Sequence, residues 1–278
     1  MSTDFRRLVF TDLDGSLLDH HSYSFAAAAP LLAELEAAGI PVIPVSSKTR
    51  AEIAELRARL DNRHPFIVEN GAAVFIPDRY FDAAPDGTFL RDGYWVKELS
   101  GPRQQWLDVL STLRPRFAGE FDNFHRAGPP GIVAMTGLSE QAATLANQRE
   151  YSEPVQWLGD EAGKLAFIRA LNAEGACALQ GGRFLSVSGD CDKGRALTWL
   201  RQVYQQAWGV PRVVDIAIGD SGNDVAMLAA AGTALLIRSP VHPYPELGRV
   251  EGVMHSVHCG PEGWAEGVGQ WLLETGAG

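Results

Sequence analysis

Leu8-Val9-Phe10-Thr11-Asp12-Leu13-Asp14-Gly15-Ser16 sets two carboxylates two positions apart where a short apolar run meets a glycine. In an extended segment, side chains at i and i+2 share one side. Here the strand is ending, so Gly15 can turn the chain and splay the two carboxylates. One can then attack while the other manages protons. An aspartate at the carboxyl end of a strand also sits at the rim of an α/β sheet, where open sheets bind their ligands. A plain Asp-Gly turn has the same local signature, so the assignment needs a second cluster.

That cluster is Asp215-Ile216-Ala217-Ile218-Gly219-Asp220-Ser221-Gly222-Asn223-Asp224-Val225-Ala226-Met227-Leu228. Residues 213–218 form a short apolar strand, Gly219 lets the backbone turn, and 221–224 supply the capping chemistry of a helix through Met227 and Leu228. Parallel strands bring their carboxyl ends to one edge, so two such ends together make an oxygen-rich cage for Asp12, Asp220 and Asp224. Hard oxygen ligands without sulfur suit magnesium. An N-capped helix by itself accounts for one of these carboxylates, not three.

The chain has 278 residues, more than one domain usually needs, so a two-part molecule is expected. A formal net charge of −10 and a pI near 5.2 argue against sequence-independent nucleic-acid binding, which needs a basic footprint. A phosphorylated substrate therefore needs positive charge placed locally. Cys177, Cys191 and Cys259 are odd in number and lack Cys-x-x-Cys spacing, indicating neither a disulfide framework nor a thiolate zinc site. No apolar run approaches a membrane span, and the start, Met-Ser-Thr-Asp-Phe-Arg-Arg, has no apolar leader. A cytoplasmic protein without membrane or nucleic-acid partners, monomeric or homodimeric, is the expectation.

Along the chain, 26–38 reads as a helix with Gly39 beyond its end, 40–46 as a strand, 49–60 as an amphipathic helix and 65–68 as a buried strand. The β-α-β-α-β order predicts a doubly wound, mostly parallel sheet. Asn70-Gly71 is a hairpin signal that extends it with antiparallel strands to Ile76. The texture changes at 83–88, which predicts a catalytic core of 1–84 and 188–278 and an α+β insert of 85–187. The insert should hold a strand at Trp95 and Val96, helices at 103–113, 140–148 and 162–172, a Gly-Pro-Pro-Gly loop at 128–131, a strand at 155–158, and a hairpin turning at Gly181-Gly182. Helix 193–207, a strand at 234–237 and a last helix at 264–273 complete the core. Trp95 and Trp157 are the tryptophans placed to stack on a sugar, packing being the commoner role.

Ser46 ends the second strand at the same rim as Asp12, and Ser47, Lys48 and Thr49 follow at a helix start whose free amides suit an anion. Lys193 opens the helix after the insert and supplies the required positive charge. Each alone reads as a cap or a solvated lysine; with the carboxylates they describe a phosphate site.

Taken in order, Asp12-Leu13-Asp14-Gly15, Ser46, Lys193 and Gly219-Asp220-Ser221-Gly222-Asn223-Asp224 resemble the motifs of the haloacid dehalogenase superfamily, with serine at 46 where many members have threonine. The insert resembles the large cap of its sugar-phosphatase branch. Asp19-His20-His21-Ser22-Tyr23-Ser24, Ser46-Ser47-Lys48-Thr49-Arg50, Glu69-Asn70-Gly71 and, above all, Gln148-Arg149-Glu150-Tyr151-Ser152-Glu153-Pro154 resemble the mannosyl-3-phosphoglycerate phosphatases within it. The resemblance implies a Rossmann-like core with a substrate-selecting cap and a magnesium-dependent phosphatase acting on a small phosphorylated sugar acid. Asp12 is then the nucleophile and Asp14 the acid and base. Ser46, Lys193 and Asn223 hold the phosphoryl oxygens. Asp12, Asp220, the Asp14 carbonyl and Asp224, directly or through water, hold Mg2+. Arg149, Glu150 and Ser152, with Ser47, Lys48 and Asn70, are the substrate contacts, arginine matching a carboxylate by its bidentate fork. A glucosyl-3-phosphoglycerate or hexose phosphate phosphatase, a mutase and a non-catalytic phosphosugar sensor are the alternatives. A sensor usually lacks Asp14 or Lys193, and both are present.

Overall fold

Residues 5–276 are described by the structure, a computed structural model; the chain start at 1–4 lies outside them. The chain begins β1 (Phe5–Thr11), α1 (Ala29–Ala37), β2 (Val42–Pro44), α2 (Arg50–Arg59), β3 (Phe66–Val68). β2 pairs with β1 in parallel, and Val45 bridges Ile67 in parallel to bring β3 alongside. α1 starts later than its alanines suggest because Pro30 occupies the first helical turn, where a missing N–H costs nothing. Thr49 caps α2 through a reciprocal pair with Glu52.

β4 (Ala73–Pro77), β5 (Phe89–Arg91) and β6 (Tyr94–Glu98) follow, giving the antiparallel order β3-β4-β6-β5. This corrects the expected start of the insert at 85. β6 pairs with β4 along its whole length, from Ala73 opposite Glu98 to Pro77 opposite Tyr94, and Val96 is fully buried in the same cluster as Phe75. The Ala-Pro-Asp-Gly stretch at 83–88 is therefore a loop of the core, and Trp95 packs on the core rather than in the insert.

Beyond Ser100 come α3 (Arg103–Leu113), β7 (Phe121–Asn123), α4 (Phe124–Thr136), α5 (Glu140–Ala146), β8 (Glu153–Trp157), α6 (Glu161–Ala173), β9 (Cys177–Gln180) and β10 (Leu185–Ser188). The strands form an antiparallel sheet ordered β7-β8-β10-β9 over a separate cluster that includes Trp106, Phe121, Phe167 and Leu171. The Gly-Pro-Pro-Gly stretch is not a loop: Gly128, at φ +62°, breaks α4, and Pro129 and Pro130 open its second segment. Trp157 stacks on Phe167 with centroids 5.2 Å apart, a packing role.

α7 (Lys193–Trp208), β11 (Arg212–Gly219), α8 (Val225–Ala230), β12 (Thr233–Arg238), β13 (Val253–Cys259) and α9 (Gly260–Gly276) complete the core. Its sheet runs β13-β12-β11-β1-β2, all parallel. Successive residues of β1 are buried on opposite faces: Leu8 and Phe10 pack with Leu197 and Leu200 of α7, Val9 with Trp264 and Val268 of α9. Burial on both faces is what a doubly wound sheet demands. β13, an edge strand in which only Ser256 is buried, carries no buried run and escapes sequence patterning. Among the described residues, no helix is long and apolar enough to cross a membrane.

Candidate active site

β1 and β11 end in step. Thr11 lies opposite Ile218, and the Asp12 N–H donates to the Ile218 carbonyl at 2.8 Å, so Asp12 and Asp220 leave the sheet edge side by side. The chain after β1 then folds back, with the Gly15 N–H on the Leu18 carbonyl at 2.9 Å and the Leu18 N–H on the Leu13 carbonyl at 2.8 Å. Gly15 has φ +82°, and a Cβ there would sit 2.6 Å from Asp220 Oδ2, so both conformation and space require glycine. The turn splays the two carboxylates. Asp12 Oδ1 accepts from Lys193 Nζ at 2.6 Å, whereas Asp14 Oδ2 pairs with Lys48 Nζ at 2.8 Å. Asp14 Oδ1 is buried without a hydrogen-bond partner among the described residues.

Lys193, fully buried at the start of α7, lies between two carboxylates, its second bond reaching Asp224 Oδ1 at 2.6 Å. The other Asp224 oxygen accepts the N–H groups of Asp220 and Ser221, each at 3.1 Å, which fixes the loop after β11. One oxygen from each of Asp12, Asp220 and Asp224 lies within 4.8 Å of the others. Crowding shows in their acidity. Burial first, then the Asp224 charge, pushes the Asp12 carboxyl well above the usual carboxylate range despite Lys193. The same two causes push Asp220 up to about 6. Burial works against the charge of Lys193, but Asp12 and Asp224 outweigh it and hold the ammonium protonated. One buried cation against three carboxylates of hard oxygen character is a donor set that fits Mg2+.

Ser46 is buried beside this cluster. Its N–H donates to the Ile67 carbonyl at 3.0 Å, its carbonyl accepts the Asn70 N–H at 2.9 Å, and its Oγ accepts the Lys48 N–H at 3.2 Å. Asn70, in the left-handed region at φ +61°, accepts from Asn223 Nδ2 at 3.1 Å, joining the loops after β3 and β11. Asp12, Asp14, Ser46, Lys48, Asn70, Lys193, Asp220, Asn223 and Asp224 are thus linked around one edge of the sheet.

The segment from the insert divides. Arg149 reaches this edge, Nη2 donating to the Ser47 carbonyl at 3.1 Å, and its Nε is buried with no partner among the described residues. Glu150 and Ser152 depart from expectation. The Glu150 carboxylate is held by Arg50 at 2.7 Å and Arg91 at 2.8 Å, and Ser152, fully buried, gives its hydroxyl to Glu69 at 2.7 Å. Both are occupied by contacts to the core, because the stretch after α5 folds under the insert instead of projecting as a solvated helix end. Two further residues have no chemistry assigned to them by sequence. Glu69 lies in the quoted Glu-Asn-Gly stretch, but its partners are about eighty positions away. His242, whose Nε2 lies 3.5 Å from Asp220 Oδ2, sits in a loop without motif character.

Comparison with known proteins agrees with this geometry. Residues 9–84 match the family described as haloacid dehalogenase-like hydrolase. A glucosyl-3-phosphoglycerate/mannosyl-3-phosphoglycerate phosphatase of Methanococcoides burtonii is 35% identical over 263 residues, covering 95% of this chain and 96% of its own. One of the same name from Persephonella marina is 33% identical over 275 residues, covering 98% and 99%. A crystal structure of a Thermoplasma acidophilum protein superposes with a TM-score of 0.65 at 18% identity, over 97% of this chain and 98% of that one, a likeness of fold.

Proposed function

The chain belongs to the haloacid dehalogenase-like hydrolases and is a phosphatase, and from that premise we propose that it hydrolyses mannosyl-3-phosphoglycerate to mannosylglycerate and phosphate, accepting the glucosyl analogue at the same site. The observation that carries the chemistry is the splayed pair, Asp12 on Lys193 and Asp14 on Lys48, beside the Asp220 and Asp224 carboxylates. The names of relatives aligned over nearly the whole chain support the substrate.

Asp12 attacks phosphorus, and the bond to the sugar-acid oxygen breaks as an aspartyl-phosphate forms. Asp14, with one oxygen on Lys48 and the other unpartnered among the described residues, protonates the leaving oxygen and then takes a proton from the water that cleaves the acyl phosphate. Lys193, Ser46 and Asn223 hold the phosphoryl oxygens. Asp12, Asp220 and the Asp14 carbonyl would hold Mg2+, and Asp224, whose oxygens already serve Lys193 and two backbone amides, would support it directly or through water. The ion's contribution when bound is positive charge that offsets the meeting of an anionic nucleophile with an anionic phosphate. Arg149, with Lys48, takes the glycerate carboxylate.

The test is phosphate release from mannosyl-3-phosphoglycerate by purified protein with Mg2+, set against Asp12→Asn. The variant should keep the native circular dichroism and lose turnover. Turnover retained in the variant overturns the mechanism.

A further inference from the structure

Glu69 is 1% exposed, on the tight turn between β3 and β4 with φ +49°. Its Oε1 accepts the Glu150 N–H at 2.9 Å; its Oε2 accepts the N–H groups of Ser152 at 2.8 Å and Tyr151 at 3.3 Å and the Ser152 hydroxyl at 2.7 Å. The Arg149 guanidinium lies 3.5 Å away. Every one of these donors comes from a single stretch of the insert. Only an anion with all its lone pairs outward can meet such a set, because an amide would turn an NH2 against N–H donors.

Other contacts fasten the same stretch to the core. The Tyr151 ring is buried in the core cluster with Phe75 and Val96, and its hydroxyl donates to Glu98 of β6 at 2.9 Å. Glu150 bridges Arg50 and Arg91. The Tyr151 carbonyl accepts from Ser100 Oγ at 3.1 Å, and that oxygen accepts the Gly189 N–H at 2.9 Å, so the stretch lies where the chain leaves and re-enters the core. Residues 149–152 belong to the insert by sequence and to the core by bonding.

We infer that Glu69 is a positioning residue for substrate selection: it holds 149–152 on the core so that the Arg149 guanidinium stays at Ser47, beside Ser46 and Lys48, however the rest of the insert moves. Glu69 itself touches no substrate. Arg149 Nε, without a partner among the described residues, and the second N–H of each Nη are the donors left for a carboxylate; this last step rests on the proposed role of Arg149.

Residue-resolved hydrogen exchange on the native protein tests the fastening without any substrate. The amides of Glu150, Tyr151 and Ser152 should exchange as slowly as those of β4 and more slowly than those of α5. Exchange in step with α5 overturns the inference. With substrate, Glu69→Gln should raise KM for mannosyl-3-phosphoglycerate at least about tenfold with a smaller change in kcat, and lower its specificity constant relative to that for p-nitrophenyl phosphate by about tenfold. Parallel losses on both substrates would show a merely structural role and also overturn it. Should Glu69→Gln fail to fold, Ser152→Ala, which removes one donor to Glu69 and with it the Oγ that accepts from Arg149 Nη1 at 3.0 Å, should show the same KM-weighted loss at smaller size. A native enzyme inactive on the mannosyl compound would sink the proposed substrate, while the exchange measurement still decides whether Glu69 fastens the segment.

Discussion

Lys193 is the residue on which both the proposed chemistry and the stability of the site turn. It is buried between Asp12 and Asp224 at 2.6 Å from each. Removing one partner of a buried ion pair leaves uncompensated charge, so Lys193→Met should abolish turnover and cost roughly 3 kcal/mol in metal-free chemical denaturation; an unchanged midpoint would contradict the pairing. Asp14→Asn removes the proposed acid and base but leaves the proposed nucleophile, and kcat should fall by about 10²–10⁴-fold. A loss under tenfold would reassign the proton transfer. Away from the site, His64 is held between Tyr80 at 2.7 Å and Glu36 at 2.8 Å. Burial lowers its pKa from 6.5 in spite of Glu36. A depressed histidine contributes stability that is complete above its unfolded pKa and is lost as pH falls below it. Melting temperature should therefore drop between pH 7.5 and 5, and more steeply in the native protein than in His64→Gln. Equal slopes would remove His64 from the account.

Legibility from sequence differs between elements for physical reasons. β1 and β11 announce themselves because their C-terminal halves are buried on both faces, leaving the apolar runs 8–10 and 216–218 just ahead of Asp12 and Asp220. α2 is signalled by Thr49 and Glu52, whose reciprocal capping bonds are present; Thr49→Ala should cost about 1 kcal/mol in thermal unfolding. β5 and β13 are short or half-exposed edge strands without a pattern of their own. α4 hides behind Gly128-Pro129-Pro130-Gly131, which reads as a loop although prolines suit a helix start. The residues proposed for catalysis are legible because each lies in a strand-end or helix-start motif. The partners of Glu69, Glu150 and Ser152 are not, because they depend on how the insert packs on the core. At the turn between β3 and β4, Gly71 has φ +94° and a Cβ there would lie 2.1 Å from the Asp192 carbonyl. Gly71→Ala should separate Asn70 from the start of α7, with activity falling and the melting temperature dropping together.

On the scale of the molecule, the position of β5 and β6 in the core moves the first crossing between core and insert from 83–87 to the region of Ser100. The second crossing lies at 189–192, where Gly189 is bonded to Ser100. If the insert closes over bound substrate, hydrogen exchange with a phosphate mimic should change at 99–102 and 189–192 and leave 83–87 untouched. A change confined to 83–87 would restore the boundary that sequence texture suggests. In an acidic chain of net charge −10, Lys48, Arg149 and Lys193 set three cations at one edge among the carboxylates of Asp12, Asp14, Asp220 and Asp224, so the proposed anionic ester should depend on these cations together with bound Mg2+. The most direct measurement is therefore a comparison of specificity constants in Mg2+ for mannosyl-3-phosphoglycerate, its glucosyl analogue and a panel of hexose phosphates that lack the glycerate carboxylate. Values for the two glycerate esters about a hundredfold above the panel, or roughly 2.7 kcal/mol of transition-state discrimination, are predicted. A flat profile across all of them would contradict the account.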